Sequence, residues 1–388
     1  IRLWRILQEE SWVGKIDFRK NYELFSRPAK FKIGGNYVMK YRDFEVDDYT
    51  FNISGDDAFI ADGNVDNLLK EENLWTYQSG EGAHLIFGDQ YNPNDSYEGE
   101  QNIYAAYISN EFSLSNDLKT VLGLRSEIFN SYYTGNDDEV VYKDTQVLDE
   151  HDFFPSVNLI YELTDNAKFR GSYYKTTARP SFKEASKSQL FDPITGYLFI
   201  GNIDLQPTYI NNFDLRYEIY GERGQMVSLS GFYKDFTDPI EKVFFLQAPT
   251  QVTVDNLGSA KVYGVELEFR QRLGFISEGF DKFKLNGNVS IMKSELEMEE
   301  NEFNSRSNAA RAGESISNTR DLQGQSPFLI NAGLDYVNTE LGMEAGLYYN
   351  VQGETLEIVG TGDVPDVYSK PFHSLNVTLN KTLGKESK

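Results

Sequence analysis

Charged residues at every second position are the first candidates for chemistry in this sequence. Arg216 and Glu218 stand two apart, and Glu266, Glu268, Arg270 and Arg272 continue the same spacing further on. A period of two places such residues on one face of a β-strand, where they can pair with charges on the next strand and hold polar matter. The residues between them, Phe213, Leu215, Tyr217 and Ile219, then Tyr263, Val265, Leu267 and Phe269, are apolar. That arrangement suits a binding wall better than a catalytic centre. His84, His151 and His373 are scattered, and no G-x-S-x-G elbow, H-E-x-x-H pair or phosphate-cradling glycine loop occurs. The acidic stretches FEVDDYTFNISGDDAFIADGNVDN and SELEMEENEFN could offer oxygen ligands to Ca²⁺, but neither has the spacing of a calcium loop. Solvated loop surface is the expectation for both, with no metal, no cofactor and no enzymatic activity.

The elements that must position these residues recur from end to end. Segments such as 30 to 42, 118 to 128, 212 to 219, 262 to 272 and 343 to 350 all alternate apolar with polar. About 13 such strands of roughly 11 to 15 residues result, against a usual length of about 5 or 6 in globular proteins. Short connections near 22–29, 114–116, 164–166, 221–224, 274–281 and 338–341 alternate strictly with long ones near 48–100, 132–152, 180–208, 238–258, 297–325 and 353–371. Short turns therefore gather at one end and long loops at the other, as in a transmembrane barrel. The two faces become lipid and lumen. Only a closed sheet satisfies every backbone N–H and C=O in hydrocarbon, so the expectation is an all-β, antiparallel transmembrane barrel. A water-soluble protein with one buried face per strand would also alternate, but it would not sort its loops by length or carry charge along nearly every polar face.

Composition narrows the remaining classes. A net charge of −23 opposes binding to nucleic-acid phosphates. No run approaches the roughly 20 apolar residues of a membrane-spanning helix. The mean hydropathy of −0.50 is compatible with a barrel, because only alternate residues of the spanning band meet lipid. Cysteine is absent from the 388 residues, so no disulfide framework or thiolate site is available. The chain starts without Met or a signal segment and stops at KTLGKESK, so it is expected to be part of a longer protein.

Four stretches resemble the C-terminal barrel of TonB-dependent outer-membrane receptors, particularly those of Bacteroidetes-type bacteria. They are ARPSFKE at 178–184, GNIDLQPTYINNFDLRYE at 201–218, NLGSAKVYGVELEF at 256–269 and LQGQSPFLINAGLDY at 322–336. The resemblance covers roughly 100 to 388 and implies a 22-stranded barrel filled by an N-terminal plug. Such receptors import scarce large nutrients across the outer membrane of Gram-negative cells with energy relayed by TonB. By the family's strand parity, residues 1–388 form a partial barrel domain that lacks about seven strands and the plug before it and two strands after it. Outer-membrane lipid and lipopolysaccharide are then the expected surroundings, with TonB, acting through the plug, and a surface lipoprotein as expected partners. Arg179 and Pro180 should end a strand, while Gly201, Asn202, Pro207, Asn256, Gly258 and Gly264 should serve turns and strand entry, Gly264 leaving room in the lumen. Arg216, Glu218, Glu266, Glu268, Arg270 and Arg272 should face the plug, neighbouring strands or substrate. Phe191, Tyr197 and Phe199, in an outer loop, could close over a ligand or pack on themselves. A non-transporting assembly subunit and a passive porin remain alternatives to the importer.

Overall fold

In the computed structural model, residues 2–54, 84–89, 92–245, 248–362 and 364–383 are described. The strands in chain order are β1 (Arg2–Leu24), β2 (Arg27–Ser54), β3 (His84–Asp89), β4 (Tyr97–Ser113), β5 (Leu118–Asn136), β6 (Val141–Thr164) and β7 (Ala167–Ala178). There follow β8 (Gln189–Phe191), β9 (Leu198–Ile200), β10 (Thr208–Tyr220), β11 (Met226–Thr237), β12 (Ile240–Phe245), β13 (Ala248–Asn256) and β14 (Ser259–Arg272). The last are β15 (Phe283–Glu297), β16 (Thr319–Arg320), β17 (Phe328–Asn338), β18 (Met343–Gln352), β19 (Thr355–Ile358), β20 (Val367–Ser369) and β21 (Phe372–Lys381), and one helix, α1 (Glu300–Ala309), precedes β16.

Thirteen of these form one antiparallel wall in the order β1-β2-β4-β5-β6-β7-β10-β11-β14-β15-β17-β18-β21. The wall is open, with β1 and β21 at its edges. Its two faces are inverted relative to a soluble protein. Leu215 is 61% exposed and Leu267 41%, whereas Glu218 and Asn212 are each 3% exposed. Apolar side chains thus clothe the convex side, and polar ones crowd the concave side.

Aromatic residues mark the upper edge of the apolar band. Phe213 stands in register with Tyr173 and Tyr233, and Tyr233 with Tyr263. Their hydroxyls point to the polar residues one step nearer the long loops: Tyr173 donates to Asn211 at 3.1 Å, Tyr263 to Glu295 at 3.4 Å, and Tyr37 to Asn102 at 2.7 Å. At the short-turn end, Tyr22 donates to Asn110 at 3.0 Å and Phe283 meets Tyr336 at 5.0 Å. Amphipathic rings at both limits of an apolar band are the girdles of a membrane barrel.

Several wall strands are longer than expected, β1 reaching 23 residues and β2 28. The connection near 132–152 is not a long loop: β5 and β6 continue as a hairpin closed by residues 137–140. The cause is burial above the band, where Tyr133 of β5 enters an apolar core and Val147 of β6 packs against it. The first acidic stretch is partly strand, with Phe44 and Val46 buried in the same core; its residues 55–67 lie outside the described residues.

That core belongs to a cap made by the long connections. Residues 180–208 and 238–258 build a four-stranded sheet in the order β12-β13-β9-β8, with β13 and β9 parallel. Phe182, Leu190, Phe199, Leu205 and Val254 from the cap pack on Phe44, Val46, Tyr97 and Tyr133 from the wall. A second cluster of Phe244, Val252 and Ile358 ties in the connection at 353–371. Ordinary apolar burial therefore returns where water surrounds the chain.

Arg at Leu215 or Leu267 should reduce folding stability in lipid vesicles by roughly 2 to 4 kcal/mol, with little effect from Arg at lumenal Asn288. Equal folding yields for Leu215→Arg, Asn288→Arg and the parent chain would contradict the assignment of faces.

Candidate functional site

The lumenal charges form a ladder across four strands. Arg216 lies directly opposite Arg170 in the register of β10 and β7, a like-charge pair that would repel. Glu218 resolves it, accepting from Arg170 at 2.5 Å and from Arg216 at 3.1 Å. Arg216 then reaches across β11 to Glu268 on β14 at 2.8 Å and to Ser230 at 3.4 Å. Ser290 on β15 donates to Glu266 at 3.2 Å, and Arg272 donates to the Asp281 carbonyl at 3.4 Å. Arg270 is exposed on the same face and has no ion pair or side-chain hydrogen bond among the described residues. Arg216, Glu266, Glu268, Arg270, Lys284 and Asn286 help line a concavity of about 740 Å³. This surface can hold polar groups in water. It offers no set of three metal-ligating side chains among the described residues.

Two histidines have partners that alternation does not announce, and for His373 it is the Tyr349 hydroxyl, 2.7 Å from Nδ1. Ser126 Oγ lies 3.0 Å from His151 Nε2 on the β5–β6 pair, beside the Phe153 ring. Among the described residues nothing hydrogen-bonds the other ring nitrogen, so the orienting third member of a nucleophilic triad is not supplied.

The motif residues turn out to anchor the cap. Arg179, at the end of β7, is bound by Glu127 at 2.8 Å and Asp152 at 3.3 Å and lies over the Phe129 ring. Tyr209 donates to the same Asp152 at 2.7 Å. Pro180 and Pro207 are buried where the connection leaves and re-enters the wall. A Cβ on Gly201 would lie 2.4 Å from the Ser186 carbonyl oxygen, so only glycine permits that crossing. Asn202 donates to the Val254 carbonyl at 3.2 Å. Asn256 accepts from the Gln206 N–H at 2.8 Å and donates to the Gln206 and Asp238 carbonyls, fastening two connections together. Gly258 has φ +56, a left-handed turn against the Glu297 carbonyl. The room left at Gly264 is taken by the neighbouring strand: a Cβ there would lie 2.5 Å from the Ile291 carbonyl oxygen and 2.7 Å from Met292 Cβ.

The outer aromatics divide. Phe199 is buried in the cap core, and Tyr197 packs edge-on against Phe244 at 5.3 Å. Phe191 stays half exposed, its carbonyl accepting from Arg5. The second acidic stretch is likewise not all solvated, because Glu302 on α1 is enclosed in an ion-pair chain. Arg320 binds Glu241 at 2.6 Å and Glu302 at 2.5 Å; Arg306 binds Glu302 at 3.0 Å and Asp366 at 2.8 Å. Burial opposes the charge on Arg320, yet Glu241 and Glu302 hold its pKa above the ordinary arginine value. Burial would also raise Asp366, but Arg306 and the Gly360 N–H outweigh it and hold this carboxyl below the usual range.

A family model described as "TonB dependent receptor-like, beta-barrel" matches residues 5–386. The chain belongs to that family. Among solved structures, its fold is similar to the unliganded ferric citrate transporter FecA, with TM-score 0.63 and 12% identity over 99% of this chain and 49% of that one. It is also similar to the ferric-catecholate import receptor Fiu from K12 E. coli (TM-score 0.59, 11% identity, 98% of this chain and 49% of that one). The copper transporter OprC gives TM-score 0.58 and 13% identity over 97% of this chain and 48% of that one. Identities this low show the fold alone, and the chain spans about half the length of these structures. Comparison with curated proteins gave no match.

The TonB-dependent receptor barrel is thus an outer-membrane wall, its short turns periplasmic and its capped end extracellular. Alternation located Arg216, Glu218, Glu266 and Glu268, but Arg179 finds its partners on the wall strands β5 and β6 and Arg320 finds Glu241 in a distant connection, and neither pairing left a local signal.

Asn256→Ala should leave the Gln206 and Asp238 groups without their partner and destabilise the cap by about 1 to 3 kcal/mol, read as faster hydrogen exchange at 202–207 with the wall unchanged. Because Asp366 is depressed in the folded state, its contribution is present above the ordinary carboxylate pKa of about 4 and is lost as pH falls through that value and below. Proteolysis within 353–371 should accordingly increase at low pH, and Asp366→Asn should show the increase already at neutral pH.

Proposed function

We propose that this barrel is part of an active importer that captures a large, scarce nutrient outside the cell and passes it inward with TonB-derived energy. The observation that carries this reading is the cap. Connections from β7, β11, β15 and β18 join in shared apolar clusters and buried ion pairs above a charged lumen. A passive porin needs an open mouth, whereas a capture device needs rigid walls around a ligand chamber. A barrel this wide leaks unless filled, so a plug is required, and a solute too large for a porin moves only when that plug is remodelled. The ion-paired lumenal face, with Arg216, Glu218, Glu268 and exposed Arg270, suits such a plug. TonB would act through it, lipid and lipopolysaccharide would surround the aromatic girdle, and a surface lipoprotein could complete the mouth. The chamber supplies binding and passage rather than catalysis.

The structures similar in fold include transporters of ferric citrate and copper and an import receptor for ferric catecholates, which makes metal chelates the first compounds to test. A strain deleted for the full-length gene should lose uptake of one labelled chelate, vitamin or glycan and regain it on complementation only when TonB is present. Uptake that persists without TonB would favour the porin; normal uptake of every compound together with disturbed outer-membrane assembly would favour the structural subunit.

A further inference from the structure

The outward face carries a hollow of about 660 Å³ directly beneath the upper aromatic row. Its roof is Tyr173, Phe213 and Tyr233, with ring centres 4.9 and 6.2 Å apart. Its floor is the next row down, where the register runs Leu159, Gly171, Leu215, Gly231 and Val265 across five strands. The wall itself demands neither glycine. Neither holds left-handed backbone, a Cβ on Gly171 would meet nothing within 4 Å, and one on Gly231 would meet only the Gly264 carbonyl oxygen at 3.9 Å. At Gly264 and Gly287, by contrast, a Cβ would collide with the next strand. Glycine inside a strand weakens it, so what Gly171 and Gly231 contribute is open space on the lipid side.

The row above the rings carries both signs of charge. Lys175, Asn211, Asp235 and Lys261 stand in register two residues nearer the long loops than Tyr173, Phe213, Tyr233 and Tyr263, and so on the same outward parity. Asp235 and Lys261 are direct cross-strand neighbours, whose Cα atoms lie about 5 Å apart in such a pair. Neither side chain has an ion pair or hydrogen bond among the described residues, whereas Glu295, next in the same row, is held by Lys293 and Tyr263. A carboxylate and an ammonium therefore sit side by side at the mouth of the hollow. Lipid tails are as apolar as leucine, so burial alone selects no occupant in hydrocarbon; retention depends on van der Waals fit and on polar contacts at the mouth. A headgroup bearing phosphates alone meets like charge at Asp235. A phosphate with a neighbouring ammonium matches Lys261 and Asp235 sign for sign.

We infer that this hollow is a phospholipid site on the outer half of the wall, in which one acyl chain lies over Gly171 and Gly231 and a zwitterionic phosphoethanolamine headgroup sits at Lys261 and Asp235. Leu215, 61% exposed between the two glycines, is the ridge against which the chain packs. Such a site needs only the membrane location of the wall. It would serve an importer, a porin or an assembly subunit alike.

The test uses the full-length receptor in detergent, titrated with phosphatidylethanolamine, phosphatidylglycerol or lipid A, with bound lipid counted by native mass spectrometry. One phosphatidylethanolamine should be retained per barrel, at least tenfold more strongly than either anionic lipid. Filling the floor with Gly171→Leu/Gly231→Leu should weaken it at least tenfold, about 1.4 kcal/mol, while heat-modifiable migration on gels reports that the barrel still folds. Asp235→Asn, at the exposed rim, tests the headgroup without touching the floor and should abolish the preference over phosphatidylglycerol. Equal retention by the parent and the double variant would overturn the groove. Tightest retention of lipid A, or an Asp235→Asn variant with unchanged preference, would overturn the headgroup assignment. A parent that retains no lipid but forms dimers lost in the double variant would give the hollow to a second copy of the chain and overturn the lipid site.

Discussion

Every part of this chain follows from one constraint: a backbone crossing hydrocarbon must satisfy all its N–H and C=O groups internally. A continuous antiparallel ladder does so, and the register between β1 and β2 runs without interruption from Arg2–Tyr49 to Leu24–Arg27. Once the ladder satisfies the backbone, side chains are free to differ completely on its two sides. Leu215 can face acyl chains because Arg216, the next residue, faces water. The same ladder carries a cost at its edges, since among the described residues β1 and β21 each present one unpaired row of backbone groups.

The lumen shows how a wall made of alternating charges avoids self-repulsion. Arg170 and Arg216 stand side by side only because Glu218 is shared between them, and Arg216 is held from a third direction by Glu268. Removing Glu218 would therefore leave two facing cations rather than one broken pair, which is why the cost of such a change exceeds that of an isolated surface salt bridge. The side chains are fixed by their neighbours, so the wall presents a preset pattern of charge to whatever fills it.

The wall was legible in the sequence because its determinant is local. Phe213, Leu215, Tyr217 and Ile219 announce a face within eight residues, and no distant partner is needed to read them. The cap was not legible for the opposite reason. Phe199 is buried because β9 runs parallel to β13, and Glu302 is enclosed because Arg320 and Arg306 converge on it. Arg320 and Glu241 are 79 positions apart, and nothing in the acidic run SELEMEENEFN distinguishes a carboxylate that will be buried from one that stays in water. Strand length failed on the same ground: β5 and β6 extend past the apolar band because Tyr133 and Val147 find a core shared with residues 182 to 254. The family motifs sit between these cases. Asn202, Pro207 and Asn256 can be recognised by pattern, but their physical task, binding one connection to another, becomes visible only when Asn256 is seen to hold Gln206 and Asp238 together.

The cap's construction limits how it can move. Its connections share two apolar clusters and one chain of ion pairs running Glu241–Arg320–Glu302–Arg306–Asp366. Displacing one connection alone would strand a buried charge, an unfavourable change of several kcal/mol. Displacing the connections from β11, β15 and β18 together keeps those pairs intact but separates β13 from β9 and opens the cluster around Val254, so the connection from β7 is held to the other three. Two residues where the β11 connection joins the wall hold left-handed backbone, Asp238 at φ 53 and Gly258 at φ 56, and Asn256 bonds the Asp238 carbonyl between them. The physical boundary in this molecule therefore runs across the tops of the strands, where a membrane wall held by its ladder meets a water-exposed roof held by its own core.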